Sequence, residues 1–298
     1  FRVLCATCSQ EVSTLVSVRS YDFHSPEHFT LSHGKPFLCP NPVHMFSTFK
    51  LTGLKNERHD KVLELFKAIK TDKSTRVVVL SAQGEIFSAG MDLTEIPSIF
   101  AEAHSNDAAR FALALRRVAE DLQETFNWLE KCNKPVIAAI HGACVGGAVD
   151  MVCAADIRYA SEDAWFQVKE LELGIAADVG ALQRLPLLLG SDSLARELIY
   201  TARRFDASEA LACGFVSRVF KTPEETLREA INTAIQIGNH SPIAVQTTKR
   251  SLLFSRDHGV MEGLNQLADL NQVMLQSADV VKAIQAAAKK QKAEFDEC

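Results

Sequence analysis

Three short runs rich in branched apolar residues constrain this chain more than any other feature. They are Val77-Val78-Val79-Leu80, Val136-Ile137-Ala138-Ala139-Ile140 and Ile157-Arg158-Tyr159-Ala160. A strand with one wet face alternates apolar and polar residues. Runs with apolar residues at consecutive positions are buried on both faces, as in a parallel sheet covered by helices. Stretches of helical period lie beside them. Over 57–70, Val62, Leu63, Leu65, Phe66 and Ile69 form one apolar stripe. Over 106–131, Phe111, Leu115, Val118 and Leu122 form another. Strands alternating with helices predict an α/β layered fold.

From about residue 182 onward the pattern is helical. Asp206 and Glu209 have capping-box spacing, and Thr222-Pro223-Glu224-Glu225 adds a second box with Pro at the first helical position. Helices are predicted over 223–237, after Ser241-Pro242, and through 260–292. Residues 1–50 lack clear periodicity and are punctuated by Pro26, Pro36, Pro40 and Pro42, so they read as loop or irregular structure. No internal repeat is evident. The expected organisation is an irregular segment over 1–56, a core over 57–200 and a helical region over 201–298.

Composition removes several function classes. The net charge is −5 over 298 residues, against the clustered positive charge of a nucleic-acid-binding face. No apolar run approaches the ~20 residues of a membrane-spanning helix. The eight cysteines are scattered, mostly in apolar stretches, and read as reduced buried thiols of an intracellular compartment. Cys5 and Cys8 form a CxxC with no second ligand pair nearby, which argues against a zinc site. The chain begins at Phe1, and its first dozen residues are compatible with the remnant of an organelle leader. It ends Phe295-Asp296-Glu297-Cys298, unlike the Ser-Lys-Leu peroxisomal address, which tilts the expected compartment to the mitochondrion with the peroxisome as alternative.

Three segments carry residue types suited to chemistry. Gly84 to Leu93 contains Ser88-Ala89-Gly90-Met91, small residues that let a ligand approach backbone N–H groups. His141 to Asp150 contains Gly146-Gly147-Ala148 between a buried strand and a helix predicted over 148–155, where unpaired N–H groups favour a negatively charged oxygen. Either glycine segment alone could be an ordinary turn. Together they suggest two donors for an oxyanion, which would be bound more tightly than a neutral carbonyl. The third segment, Trp165 to Gly180, places Glu170 and Asp178 in a largely apolar setting. Burial there would raise a carboxyl pKa and suit a proton shuttle, although a single acidic residue is more often a solvated charge or a cap. Glu172 reads as a surface or ion-pairing residue.

These motifs, in this order, resemble the crotonase (enoyl-CoA hydratase/isomerase) superfamily over about 57–275. The matching stretches are Lys134 to Ala139, Asp156 to Tyr159, Phe166 to Glu170, Ala176 to Gly180, Leu182 to Pro186 and Ser255 to His258. Within the superfamily the pattern is most similar to the branch that isomerises 3,5-dienoyl thioesters. That resemblance implies a ββα spiral core, a helical C-terminal region that mediates trimerisation, and trimers that pair into hexamers. It implies oxyanion-hole N–H groups at Met91 and Gly147 and a catalytic set of Glu170, Asp178 and Asp150. Hydratases of the family carry glutamates matching Asp150 and Glu170 and a small residue matching Asp178.

The implied reaction converts 3,5-dienoyl-CoA to 2,4-dienoyl-CoA in fatty-acid β-oxidation. Glu170 would act at C2 and Asp178 at C6, with Asp150 in support. No metal or redox cofactor is implied, since the acyl-CoA substrate brings its own coenzyme A. The family's Asn-Arg-Pro…Asn-Ala segment has no counterpart among residues 20–56, and Ala148 replaces the usual third glycine. The alternatives are an enoyl-CoA hydratase, a Δ3-Δ2 isomerase, or a catalytically weak CoA-binding protein.

Overall fold

The computed structural model describes residues 56–298 and, before them, the backbone of four strands: β1 (Arg2–Ala6), β2 (Ser20–Tyr21), β3 (Leu31–Ser32) and β4 (Val43–Ser47). Cys8 and the proline-punctuated stretches between these strands lie outside the described residues. The expectation of irregular structure over 1–50 is therefore modified. Arg-Val-Leu-Cys-Ala and Val-His-Met-Phe-Ser pair in antiparallel register, Arg2 opposite Ser47 and Ala6 opposite Val43. Five-residue strands without helical or alternating period leave little signal when prolines surround them.

Helix α1 (Asn56–Thr71) leads into β5 (Val77–Ser81). Next come α2 (Ile96–Ala103) and the long α3 (Ala108–Lys131), whose first turn is capped by Asp107 accepting from Arg110 N. Strand β6 (Val136–Ile140), strand β7 (Ala143–Val145) and helix α4 (Gly147–Cys153) follow, then β8 (Ile157–Ser161) and β9 (Trp165–Gln167). The main sheet runs β11-β8-β6-β5-β1-β4, where β11 is Arg218–Phe220. It is parallel from β5 through β6 and β8 to β11 and antiparallel where β1 meets β5 and β4.

Both faces of its parallel part are buried, as the consecutive apolar runs require. Val78, Leu80, Val136, Ala138, Ile140 and Ala160 face a core shared with α1, α3 and α4. Val77, Val79, Ile137, Ala139 and Tyr159 face the opposite way, onto Ala230 and Ala234 of α8 (Pro223–Gly238). The polar member of the third run is satisfied inside. Arg158 Nε donates to Phe215 O at 2.7 Å and Nη1 to Ala155 O at 2.6 Å.

A second sheet, β10-β9-β7, adds β10 (Phe205–Asp206) antiparallel to β9, with β7 and β9 parallel. Stacked Phe166 and Phe205, with Phe215 edge-on to both, fill the space behind it. The chain continues through α5 (Ala181–Leu188), α6 (Asp192–Thr201) and α7 (Ala207–Ala212). The two predicted boxes are only half formed. Asp206 and Thr222 cap their helices, but the Glu209 carboxylate turns to Arg203 at 2.7 Å and that of Glu225 accepts from Lys221 N.

The C-terminal region comprises α9 (Pro242–Asp257), α10 (Val260–Met274) and α11 (Ala278–Ala288). The single helix expected through 260–292 is thus two, because Ser277 caps a new start by accepting from Asp279 N. Lys249 fixes α9 to the core. Its buried ammonium donates to Leu129 O, Lys134 O and Asp156 Oδ2 at 2.6, 2.9 and 2.7 Å. Among the described residues no helix is long and apolar enough to cross a membrane.

Candidate active site

The two glycine-bearing segments are zipped together. Phe87 N donates to His141 O, Ser88 N to Ala143 O, and Val145 N to Ser88 O, at 2.8–3.1 Å. Close approach demands glycine at two points. Gly142 has φ +54°, and a Cβ there would collide with Glu85 O. Gly90 has φ +91°, and its Cβ would sit 3.0 Å from Val145 O. Met91 and Gly147, the predicted oxyanion donors, thereby come to line one cavity of about 200 Å³. Gly147 opens α4, where first-turn N–H groups lack a carbonyl four residues back.

The same cavity is lined by Glu170 and Asp178. Its other walls are mostly apolar: Leu93, Ile96, Leu122, Phe126, Leu173 and Ile175. Lys169 also lines it and pairs with Glu172 at 3.5 Å, which bears out the reading of Glu172 as an ion-pairing residue.

The three carboxylates have unlike surroundings. Asp150 on α4 is fully buried, and its Oδ1 accepts from Ala181 N at 2.6 Å. Burial, then the neighbouring charge of Glu170, pushes its carboxyl up to about 7. Glu170 opens a 3-10 turn (Glu170–Leu173) and is 9% exposed. Burial raises its carboxyl too, and the charge of Asp178 adds to the effect. Among the described residues, buried Asp150 Oδ2 and Glu170 Oε2 have no hydrogen-bond partner. Such oxygens are favoured neutral, so the pair titrates as a unit and holds a proton near neutral pH.

Asp178 departs from expectation. The apolar letters around it suggested burial, yet it is exposed, as are Leu173, Ile175 and Ala176. The segment runs along the rim of the cavity, with Ala177 and Gly180 buried and Val179 partly packed against the core. Its main chain is held, since Asp178 O accepts from Gln123 Nε2 of α3 at 2.6 Å.

Gly146 precedes Gly147 and packs against Glu170. With φ +57° and ψ −129° it occupies backbone space closed to other residues, and a Cβ would stand 3.1 Å from Glu170 Oε1. The buried Cys144 and Cys153 flank the site, and burial pushes both thiols up, Cys153 to about 12. They are protonated and inert at neutral pH. Cys132 is buried as well, whereas Cys213 is half-buried and Cys298 exposed, so the expectation of buried thiols holds for three of these five. Sequence reasoning missed the contribution of α3: Leu122 and Phe126 to the wall, and Gln123 to the rim.

A buried parallel sheet whose neighbouring turns deliver backbone donors and carboxylates to one cleft defines the class, and the chain belongs to the crotonase (enoyl-CoA hydratase/isomerase) superfamily. The family model described as Enoyl-CoA hydratase/isomerase matches residues 50–298, more than the motifs alone delimit. The chain is 49% identical over 283 residues to "Delta(3,5)-Delta(2,4)-dienoyl-CoA isomerase, mitochondrial" of Homo sapiens, covering 95% of this chain and 86% of that protein. It is 44% identical over 240 residues to the Arabidopsis thaliana protein named "Delta(3,5)-Delta(2,4)-dienoyl-CoA isomerase, peroxisomal", covering 79% and 86%. Among solved structures, an enoyl-CoA hydratase from Bacillus anthracis superposes with a TM-score of 0.73 at 30% identity, over 83% of this chain and 91% of that one.

Proposed function

We propose that the protein converts 3,5-dienoyl-CoA to 2,4-dienoyl-CoA by moving a proton from C2 to C6. The observation that carries this reading is one cavity lined by Glu170, Asp178, Met91 and Gly147 together. A 1,5-proton shift needs a base at one end of a conjugated system and an acid at the other, on a rigid frame. The names of the human and Arabidopsis relatives support the same reaction.

In the proposed sequence the thioester carbonyl accepts from the Met91 and Gly147 N–H groups. Ionised Glu170 takes a proton from C2, and charge spreads over the dienolate to the carbonyl oxygen. The two donors hold that charge more tightly than the neutral carbonyl. Asp178, at the other end of the dienolate, then delivers a proton to C6. The proton taken from C2 leaves Glu170 for solvent, and a solvent proton replaces the one given to C6 through Asp178. Asp150, with its carboxyl raised to about 7 by burial and by Glu170, shares a proton with Glu170 near neutral pH and so limits the negative charge there. Coenzyme A arrives with the substrate, and no step calls for a metal or redox group.

The exposed apolar side chains of α9–α11, among them Val260, Met261, Leu264, Leu275 and Ile284, suit self-association, and we assign the protein to a homotrimer or homohexamer. The compartment proposed is the mitochondrion, with the peroxisome as alternative, since the relatives' names carry both.

The test is growth of the conjugated 2,4-dienoyl absorbance from 3,5-octadienoyl-CoA. Turnover abolished or cut at least ~100-fold by Asp178→Asn is expected. No turnover by the unmodified protein, or turnover indifferent to Asp178→Asn, overturns the reading. Water addition to crotonyl-CoA faster than dienoyl conversion would favour a hydratase. Tight acyl-CoA binding by calorimetry without any turnover would favour a binding protein.

A further inference from the structure

We infer that Gln123 is a positioning residue that holds Asp178 at the far end of the substrate and thereby selects the C2-to-C6 shift over simple exchange at C2. The inference rests on the dienoyl reading and deepens it. Asp178 is exposed, and among the described residues no hydrogen bond to its carboxylate is seen, so its location is set through its main chain. Gln123 Nε2 donates to Asp178 O at 2.6 Å. Three residues on, Ala181 N donates to Asp150 Oδ1 at 2.6 Å. The segment carrying the C6 acid is therefore pinned at both ends, once to α3 and once to the buried carboxyl beside Glu170.

The Arg184 side chain packs against the middle of the segment. Gly180 has φ +134°, and a Cβ there would collide with Arg184 Nη1. That guanidinium is itself fixed to α3: Nε to Glu130 Oε1 at 3.0 Å and Nη2 to Asn127 Oδ1 at 2.7 Å. Gln123, Asn127 and Glu130 recur at intervals of four and three residues, so they share one face of α3. Leu122 and Phe126, one residue before Gln123 and Asn127, line the cavity itself. One helix thus supplies both a wall for the substrate and the anchor for the acid.

Glu170 does not depend on Gln123. It is held by its own 3-10 turn, next to Gly146. Loss of the Gln123 amide should therefore free Asp178 and leave proton removal at C2 intact. A displacement of about 1 Å at a reacting group can lower a rate by about 100-fold.

The experiment follows one substrate, 3,5-octadienoyl-CoA, in D2O with the unmodified protein, Gln123→Ala and Gln123→Lys. Two rates are read: formation of the 2,4-dienoyl product, and deuterium entering C2 of recovered substrate. The expected result for Gln123→Ala is product formation reduced between ~10-fold and ~100-fold with C2 exchange within about twofold of normal. Gln123→Lys keeps a long donor and is expected to recover most of the product rate. Equal loss of both rates, or loss of neither, in a Gln123→Ala protein of unchanged melting temperature overturns the inference. So does failure of Gln123→Lys to exceed Gln123→Ala. If the unmodified protein forms no 2,4-dienoyl product, the dienoyl reading itself has failed, a result distinct from either of these.

Discussion

Replacing Asp150 by Asn should make the protein more stable at alkaline pH and leave it nearly unchanged at acid pH. Asp150 is fully buried, with one oxygen bonded to Ala181 N and the other unpartnered among the described residues. Its carboxyl is pushed from the ordinary 3.8 up to about 7, first by burial and then by Glu170. A raised carboxyl binds its proton more tightly in the folded than in the unfolded chain. Stability from this group is therefore complete below about pH 4 and is lost as pH rises to about 7. Between pH 5 and pH 7 the loss is two pH units at about 1.4 kcal/mol each, or about 3 kcal/mol, and it stays constant above. An Asn at 150 can still accept from Ala181 N through its carbonyl oxygen and carries no charge to bury. Urea unfolding of both proteins at pH 5 and pH 8 measures the effect. The stability difference, Asn minus Asp, should grow by about 3 kcal/mol between the two pH values. A difference that stays constant with pH, or shrinks as pH rises, would refute the claim that the surroundings raise the Asp150 carboxyl.

Two further outcomes follow from single contacts. Gly146→Ala forces a side chain into φ +57°, ψ −129° and sets a Cβ 3.1 Å from Glu170 Oε1. It should cost about 1–3 kcal/mol in thermal or urea unfolding and lower kcat about tenfold with a smaller change in KM, and an unchanged kcat would remove Gly146 from the positioning of Glu170. Lys249→Met removes the ammonium that bonds Leu129 O, Lys134 O and Asp156 Oδ2. It should lower the unfolding free energy by about 3 kcal/mol, and a loss under ~1 kcal/mol would show that α9 is held by other contacts.

How much of this was legible in sequence depended on length and period. Strands β5, β6 and β8 and helices α1 and α3 were read because apolar runs of four or five residues and stripes at helical spacing leave a signal, and α8 and α9 because Thr222-Pro223 and Ser241-Pro242 mark helix starts. Strands β7, β9 and β10 have two or three residues each, too few to show any period. The break between α10 and α11 falls at Leu275-Gln276-Ser277, with neither Gly nor Pro to mark it.

The site shows the same division. Asp150, Glu170, Met91 and Gly147 were picked out by motif; Met91, Gly147 and Glu170 line one cavity, while Asp150 is buried outside its lining with its carboxyl raised in part by Glu170. The exposure of Asp178 was not legible, because an apolar segment lining the rim of a cleft has the same letters as one packed in a core. Gln123 was beyond reach for another reason. Its partner is a main-chain carbonyl 55 positions away, and every residue type offers that carbonyl.

The central claim is a proton shift that begins at Glu170 and ends at Asp178. It is tested most directly by one turnover of 3,5-octadienoyl-CoA in D2O, with the product's label located by NMR. Asp178 is exposed, so a proton delivered through it comes from solvent. The account predicts 2,4-octadienoyl-CoA carrying one deuterium at C6. A hydrated product, a 2,5-dienoyl product labelled at C4, or recovered substrate labelled only at C2 would contradict it.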